Sequence, residues 1–251
     1  MSDTILSCDA VSLAFGGVKA VVEATLEIER GSVTGLIGPN GAGKSTLVNI
    51  ISGHLRPDSG RALFNGADIT SFPPYQVART GLIRTFQLSS EFPWMTLLEN
   101  MLVAPRQIGT SFGKAIFRKR SWIDQEYELL AKAREYLSEF GLISLEHEYA
   151  GNLSGGQKRL LEIARALMAD PQMLILDEPM AGVAGVLIDR IVDHIIQLGG
   201  RGLTFLVIEH DLEVVDRLCE TVYVMAQGSV LSRGTMAELR QDERVLEAYL
   251  D

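Results

Sequence analysis

From residue 6 to residue 64 the apolar positions fall in short runs punctuated by glycine, a pattern that predicts strands over 6–15, 24–28, 32–37 and 61–64. One helix interrupts them, starting in the glycine-rich turn near Gly41, carrying Leu47, Ile50 and Ile51, and stopping about Gly53 with Pro57 beyond. Between about Gln87 and Leu153 the β-branched runs disappear and a helical period takes over. It is clearest at Leu130, Ala133, Leu137 and Phe140, with Glu128 and Lys132 as an outward pair one turn apart and Gly141 as the stop. After Ser154 helix and strand alternate: helices over 154–170 and 186–198, strands over 173–176, 203–208, 221–225 and 229–231, and a short helix before the last two strands. Such alternation predicts a parallel sheet covered by helices on both faces. The unbroken apolar runs 173–176 and 203–208 belong at its centre, because strands buried on both sides do not alternate. No internal repeat or Pro/Ser-rich linker is present, so the helical stretch reads as an insert in one compact unit.

The chain has 251 residues, 47% of them hydrophobic, and 23 Lys and Arg against 32 Asp and Glu for a net charge of −9. That is an acidic globular composition, with length enough for one sizeable core and no need of disulfide or metal staples. Cys8 and Cys219 lie in apolar-rich segments and are expected as buried, reduced thiols. The start, Met1-Ser2-Asp3-Thr4, has no basic stretch leading into an apolar one, and no apolar run reaches bilayer length, so neither secretion nor a membrane span is expected. Scattered positive charge on an acidic chain argues against nucleic acid as a partner.

Gly38-Pro39-Asn40-Gly41-Ala42-Gly43-Lys44-Ser45 has the phosphate-loop spacing and lies between an apolar strand and a helix, the context that pattern requires. Glycines let successive backbone N–H groups converge on phosphate oxygens, and the helix start adds its dipole. Lys44 reaches the β and γ phosphates and the Ser45 hydroxyl offers itself to magnesium, with Thr46 the second choice for that ligand. Asp177 and Glu178 follow the apolar run 173–176, at the strand end where ligands gather in parallel sheets. Asp177 suits the magnesium shell, and Glu178 suits polarising a water for in-line attack on the γ phosphate. Alone, two acids after a strand would be a solvated loop; beside a complete phosphate loop they form the second half of a nucleotide-hydrolysing site. Leu153-Ser154-Gly155-Gly156-Gln157 then precedes a helix with Leu160, Ile163, Ala164 and Leu167 on one face. Ser154 there reads as an N-cap or, with two glycines and an open helix start, as part of a second anion site.

That pentapeptide is the signature of the ATP-binding subunits of ABC transporters, which the sequence resembles over essentially its whole length. The resemblance implies an α/β fold, a P-loop NTPase with a RecA-like core, an N-terminal antiparallel β subdomain and an inserted α-helical subdomain. Residues 1–251 would form a single ABC ATPase domain, with 1–87 and 154–251 as the nucleotide-binding core and 88–153 as the helical subdomain. It implies ATP and Mg2+ as ligands and two sites at a head-to-tail dimer interface, where Ser154, Gly155, Gly156 and Gln157 of one subunit close over the ATP of the other. By the same resemblance Phe15 stacks on adenine, Gln87 touches magnesium and the attacking water, and His210 contacts the γ phosphate. Without it, Phe15 would be a core aromatic, Gln87 a polar loop residue and His210 a structural histidine, as His54, His147 and His194 are read here. Where the family usually places Asp or Asn after Pro179, facing the partner subunit, this chain has Ala184, which implies weaker coupling between the two sites.

Within the family, Arg84-Thr85-Phe86-Gln87, Met95-Thr96-Leu97-Leu98-Glu99-Asn100, the extra segment 105–124 and the ending Val245-Leu246-Glu247-Ala248-Tyr249-Leu250 resemble ATPases of branched-chain or hydrophobic amino-acid importers. That implies two membrane-spanning permease subunits, a second ATPase subunit, either a copy or a relative, and an extracytoplasmic substrate-binding protein met only indirectly. It also implies a peripheral place on the cytoplasmic face of the inner membrane. Urea and amide importers share the look, and the lipopolysaccharide-export ATPase shares Ala181-Gly182-Val183, so both stand as alternatives. A repair or translation ATPase would need a long coiled coil or two cassettes, and a phosphate-loop kinase would lack the signature and Glu178. Arg118-Lys119-Arg120 reads as solvated, or as contact with anionic headgroups. Leu88, Phe92, Trp94, Met95 and Leu98 read either as core of the helical insert or as an apolar groove for a cytoplasmic helix of the permease.

Overall fold

The computed structural model describes residues 3–85, 91–104 and 119–250. In chain order they form β1 (Thr4–Phe15), β2 (Val18–Glu29), β3 (Val33–Ile37), α1 (Lys44–Ile51), β4 (Ser59–Phe64), β5 (Ala67–Asp68), α2 (Pro74–Thr80) and β6 (Leu82–Arg84). Next come α3 (Leu97–Val103), α4 (Lys119–Glu139), α5 (Gly155–Leu167), β7 (Met173–Asp177), α6 (Gly185–Gly200), β8 (Thr204–Ile208) and α7 (Leu212–Leu218). The chain closes with β9 (Thr221–Ala226), β10 (Ser229–Gly234), α8 (Met236–Leu239) and α9 (Glu243–Leu250). These elements divide into two compact units, one of Met1–Gln87, Gln172–Ala181 and Asp189–Asp251, the other of Leu88–Pro171 and Gly182–Ile188.

The first unit holds two sheets. β1 and β2 form a hairpin that β4 and β5 extend into an antiparallel sheet of order β2-β1-β4-β5. The other sheet has the order β10-β9-β3-β8-β7-β6 and is parallel from β6 through β9, with only β10 reversed. Every residue of β3, β7 and β8 is buried, as their unbroken apolar runs predict, and each large aliphatic side chain so buried contributes about 1.5–3 kcal/mol. β7 nevertheless lies one strand in from the edge, because β6 pairs outside it in register Leu82↔Met173. Neither β6 nor α2 is visible as a period in the sequence. Three residues are too short to show one, and α2 has a single buried side chain, Val77.

One core joins the two sheets and α1: Leu6, Val11, Leu26 and Ile28 meet Leu47, Ile50 and Ile51 of α1 and Ile175, Leu206 and Tyr223 of the parallel sheet. The Tyr223 hydroxyl donates to Glu27 O at 2.8 Å and accepts from Glu27 N at 3.0 Å, pinning β2 to β9. In the parallel sheet Asp177 pairs with Ile208, and Leu36 pairs with Ile208 from the other side. The residues that follow β3, β7 and β8 therefore emerge side by side at one edge, where a doubly wound sheet places ligands.

The second unit is helical. Thr96 caps α3 in a box with Glu99, and Leu97, Met101, Ala133, Leu137, Phe140, Leu160, Ile163 and Leu167 are buried. α5 packs against α3 and α4, so compact packing returns the chain to the first unit at Gln172 rather than at the expected residue 154. The apolar face of α5 needs helices to cover it, and α3 and α4 supply them. Lys132 does not pair with Glu128 one turn away; its ammonium reaches Asp170 at 2.6 Å, beyond the end of α5. A partner held by tertiary packing prevails over a flexible neighbour on the same helix, whose exposed pairing is worth only ~0.3–0.5 kcal/mol.

Candidate nucleotide site

The turn from β3 into α1 is built from backbone that only glycine accommodates. A Cβ on Gly38, whose φ is +148°, would lie 2.1 Å from Met225 O, and one on Gly43, at φ +96°, 2.4 Å from Ala20 O. Gly43 is also the N-cap of α1 and has no side chain to satisfy the first-turn N–H groups. Those donors and the positive helix end are open to an anion. Pro39, Asn40, Gly41 and Ala42 complete the loop, Ser45 is exposed and Thr46 half-buried beneath it. The Lys44 ammonium is buried over this loop, donating to Gly38 O at 2.7 Å and Pro39 O at 2.9 Å. Burial pushes it below the ordinary lysine value, and the negative charges of Glu178 and Asp177 oppose that shift. A buried cation facing two acids beside a helix start that no side chain caps is what a polyphosphate requires.

Asp177 ends β7 with its side chain 5% exposed and takes a 2.8 Å bond from Arg84 on Oδ2. Its other oxygen and the Ser45 hydroxyl are hard donors of the kind magnesium takes, so this chemistry fits the expected ion. Glu178, the next residue, has φ +50°, a conformation uncommon outside glycine, and its N–H donates to Ile208 O at 2.9 Å. Its Oε1 lies 2.9 Å from His210 Nε2, where an imidazole N–H donates to the carboxylate. The fold thus brings Lys44, Asp177, Glu178 and His210 to one edge of the parallel sheet. Gln87 and Leu88 lie outside the described residues. Phe15 ends β1 with its side chain half-exposed.

Ser154 is the N-cap of α5: its Oγ accepts from Gln157 N at 3.3 Å while Gln157 Oε1 accepts from Ser154 N at 2.9 Å. A hydroxyl that accepts one N–H still has its own proton to donate, so the cap and the anion site do not compete. Gly156 has a further reason to be glycine, since a Cβ there would come within 2.3 Å of Leu187 Cδ1. Ala184 accepts from Leu187 N and Ile188 N through its carbonyl, capping α6 with backbone alone.

Two further residues at this edge carry no sequence signal of their own. Arg84 was only part of a family-like stretch, yet its guanidinium bonds Asp177, Asn49 and Ser52. Glu209 carries no motif of its own beside His210; its carboxylate is buried and accepts from Met180 N at 2.8 Å and His210 N at 3.1 Å. Neither lies in a recognisable spacing, so no local signal marked them.

Residues 21–181 match the model of the ABC transporter family. The chain is 42% identical over 248 residues to a probable branched-chain amino acid transport ATP-binding protein of Archaeoglobus fulgidus, covering 98% of this chain and 95% of that protein. It is 36% identical over 252 residues to the high-affinity branched-chain amino acid transport ATP-binding protein of Escherichia coli K12, covering 100% and 99%. A solved ATP-binding cassette of an ABC transporter in its ADP conformation superposes with a TM-score of 0.86 at 40% identity, covering 98% of each chain. With the match running through phosphate loop, signature and Asp177-Glu178, and with likeness over 98% of the chain, the chain belongs to the ABC transporter family, as an ATP-binding cassette of the ATPase subunit.

Proposed function

We propose that this chain is the ATP-hydrolysing subunit of an importer of branched-chain or other hydrophobic amino acids. The observation that carries the reading is identity of 42% and 36%, over nearly the whole of both chains, to proteins named for branched-chain amino acid transport. Two copies, or this chain and a relative, work against two membrane-spanning permease subunits that receive substrate from an extracytoplasmic binding protein. Among the described residues no helix is long and apolar enough to cross a membrane, so translocation falls to those partners, with this chain peripheral on the cytoplasmic face.

ATP is the substrate. Phe15 stacks on its adenine, backbone N–H groups between Asn40 and Ser45 wrap its phosphates, and Lys44 compensates their charge in a buried setting. Ser45, Asp177 and Gln87 would hold magnesium, which would offset the charge of the β and γ oxygens when bound. Glu178 takes the proton of the water whose oxygen bonds the γ phosphorus as the bond to ADP breaks, a role worth ~10²- to 10⁴-fold. His210 holds Glu178 in place through the 2.9 Å contact and turns its polar edge to the γ phosphate. Ser154 and the amides of Gly155 and Gly156 serve the ATP of the partner subunit, the Ser154 hydroxyl donating to its phosphate while still capping α5.

The test is reconstitution with the permease pair and binding protein in vesicles loaded with ATP. Labelled leucine, isoleucine or valine should accumulate, and urea should not. Uptake of urea or amides without branched-chain amino acids would overturn the substrate assignment, and failure of the purified chain to hydrolyse ATP at all would overturn the activity.

A further inference from the structure

Glu209 follows β8 and sits among the residues of the catalytic edge with its side chain buried. Among the described residues no lysine or arginine pairs with it, an uncommon state for a buried carboxylate. Its partners are backbone N–H groups: Oε1 takes Met180 at 2.8 Å, Oε2 takes His210 at 3.1 Å, and Asp211 adds a third N–H. Met180 belongs to the loop leaving β7, while His210 and Asp211 belong to the loop leaving β8. One carboxylate thus spans the two loops with an oxygen committed to each.

The Glu178–His210 contact of 2.9 Å crosses the same gap. Glu178 needs support, because its backbone is left-handed at φ +50°, a conformation that persists only where the surroundings enforce it. Upstream it is held by its N–H on Ile208 O. Downstream the first side-chain anchor is Glu209 on Met180, two residues on. We infer that Glu209 is a positioning residue for hydrolysis, its carboxylate acting as a strut of fixed width that sets the spacing between Glu178 and His210. The inference rests on the roles proposed above for those two residues.

Glutamine is nearly the same size but has one acceptor oxygen, and its NH2 group would face an N–H. It can hold one loop or the other, not both. Aspartate keeps the charge and both acceptors but is one methylene too short to span the gap.

The experiment uses the full chain and the variants Glu209→Gln, Glu209→Asp, His210→Ala, Glu178→Gln and the double variant Glu209→Gln/His210→Ala. Glu209→Gln should keep ATP affinity by calorimetry and a melting temperature near that of the parent, while kcat falls at least ~10-fold with KM little changed. The double variant should be no slower than His210→Ala, because both lesions undo the same contact. A readout free of turnover comes from NMR of the histidine rings, of which there are 4. The His210 ring chemical shifts in nucleotide-free Glu209→Gln should move toward those in Glu178→Gln, because both variants undo the 2.9 Å contact. Parent-like kcat in Glu209→Gln, losses that multiply in the double variant, or ATP affinity and melting temperature that collapse together in both Glu209 variants would each overturn the strut. Normal hydrolysis by Glu178→Gln and His210→Ala would instead remove the roles on which it rests, whereas loss in those two with none in Glu209→Gln defeats this inference alone.

Discussion

Arg84 donates through Nη2 to Asp177 Oδ2 at 2.8 Å and through Nη1 to Asn49 Oδ1 at 2.6 Å and Ser52 Oγ at 3.1 Å. One guanidinium therefore ties the ends of β6 and β7 to α1, the helix that opens in the phosphate loop. The pair is buried, with side chains 11% and 5% exposed. Removing one partner of such a pair strands the other charge out of water, at a cost of ~3–5 kcal/mol.

Arg84→Met should accordingly lower unfolding stability by about 3 kcal/mol, read from urea denaturation at neutral pH. A loss below ~1 kcal/mol would mean that Asp177 finds another partner or that solvent reaches it.

Glu178→Gln should bind ATP as the parent does and turn it over at least ~100-fold more slowly, since an amide can hold the water without taking its proton. With ATP trapped, the variant should run as a dimer in size-exclusion chromatography. Parent-level steady-state hydrolysis would remove Glu178 from the base role.

Lys44→Ala and Ser154→Arg should fail in different ways. The first loses the cation buried over the loop and with it ATP affinity, checked by calorimetry. The second loses the cap of α5, worth ~1 kcal/mol, but as a monomer still binds ATP, and it fails in hydrolysis because the phosphate it serves belongs to the partner. Hydrolysis by either variant at the parent rate, independent of protein concentration, would contradict a shared site.

Trp94 is 88% exposed, with Phe92 and Met95 beside it at 43% and 37%, while Leu97 and Met101 fill the core of the helical unit. The loop that presents them is held by fully buried Asn100, whose amide accepts from Phe92 N and donates to Phe92 O, Met95 O and Thr96 O. Trp94→Ala should thus change stability by no more than ~0.5 kcal/mol, yet weaken co-purification with the permease subunits and lower transport per ATP. An unfolded variant or undiminished assembly would place the permease elsewhere.

Both thiols are buried, and burial pushes Cys8 and Cys219 from 9.0 up to about 12. In the unfolded chain they ionise near 9.0, so between that pH and 12 the native state binds more protons. Stability from this source is complete below pH 9.0 and is lost as pH rises toward 12. Urea midpoints should fall above pH 9.0, less steeply in Cys8→Ala than in the parent. Native protein should react with a thiol reagent only as it unfolds.

What was legible in the sequence was whatever lies close together along the chain. The eight residues of the phosphate loop, the acids that end β7 and the signature before α5 are contiguous, and the local backbone they imply is the one they adopt. Buried strands announced themselves because β3, β7 and β8 have both faces covered and so carry unbroken apolar runs. Tertiary structure alone decided matters that join distant residues. It gave Lys132 to Asp170 rather than to Glu128, turned Trp94 outward, inserted β6 outside β7, and brought Arg84 to Asp177 across 93 positions. It also set Glu209 between two loops that the sequence separates by 29 positions. A side chain's period and type record how its own element folds, but its partner is chosen by which elements pack beside it, and that depends on contacts summed over the whole core.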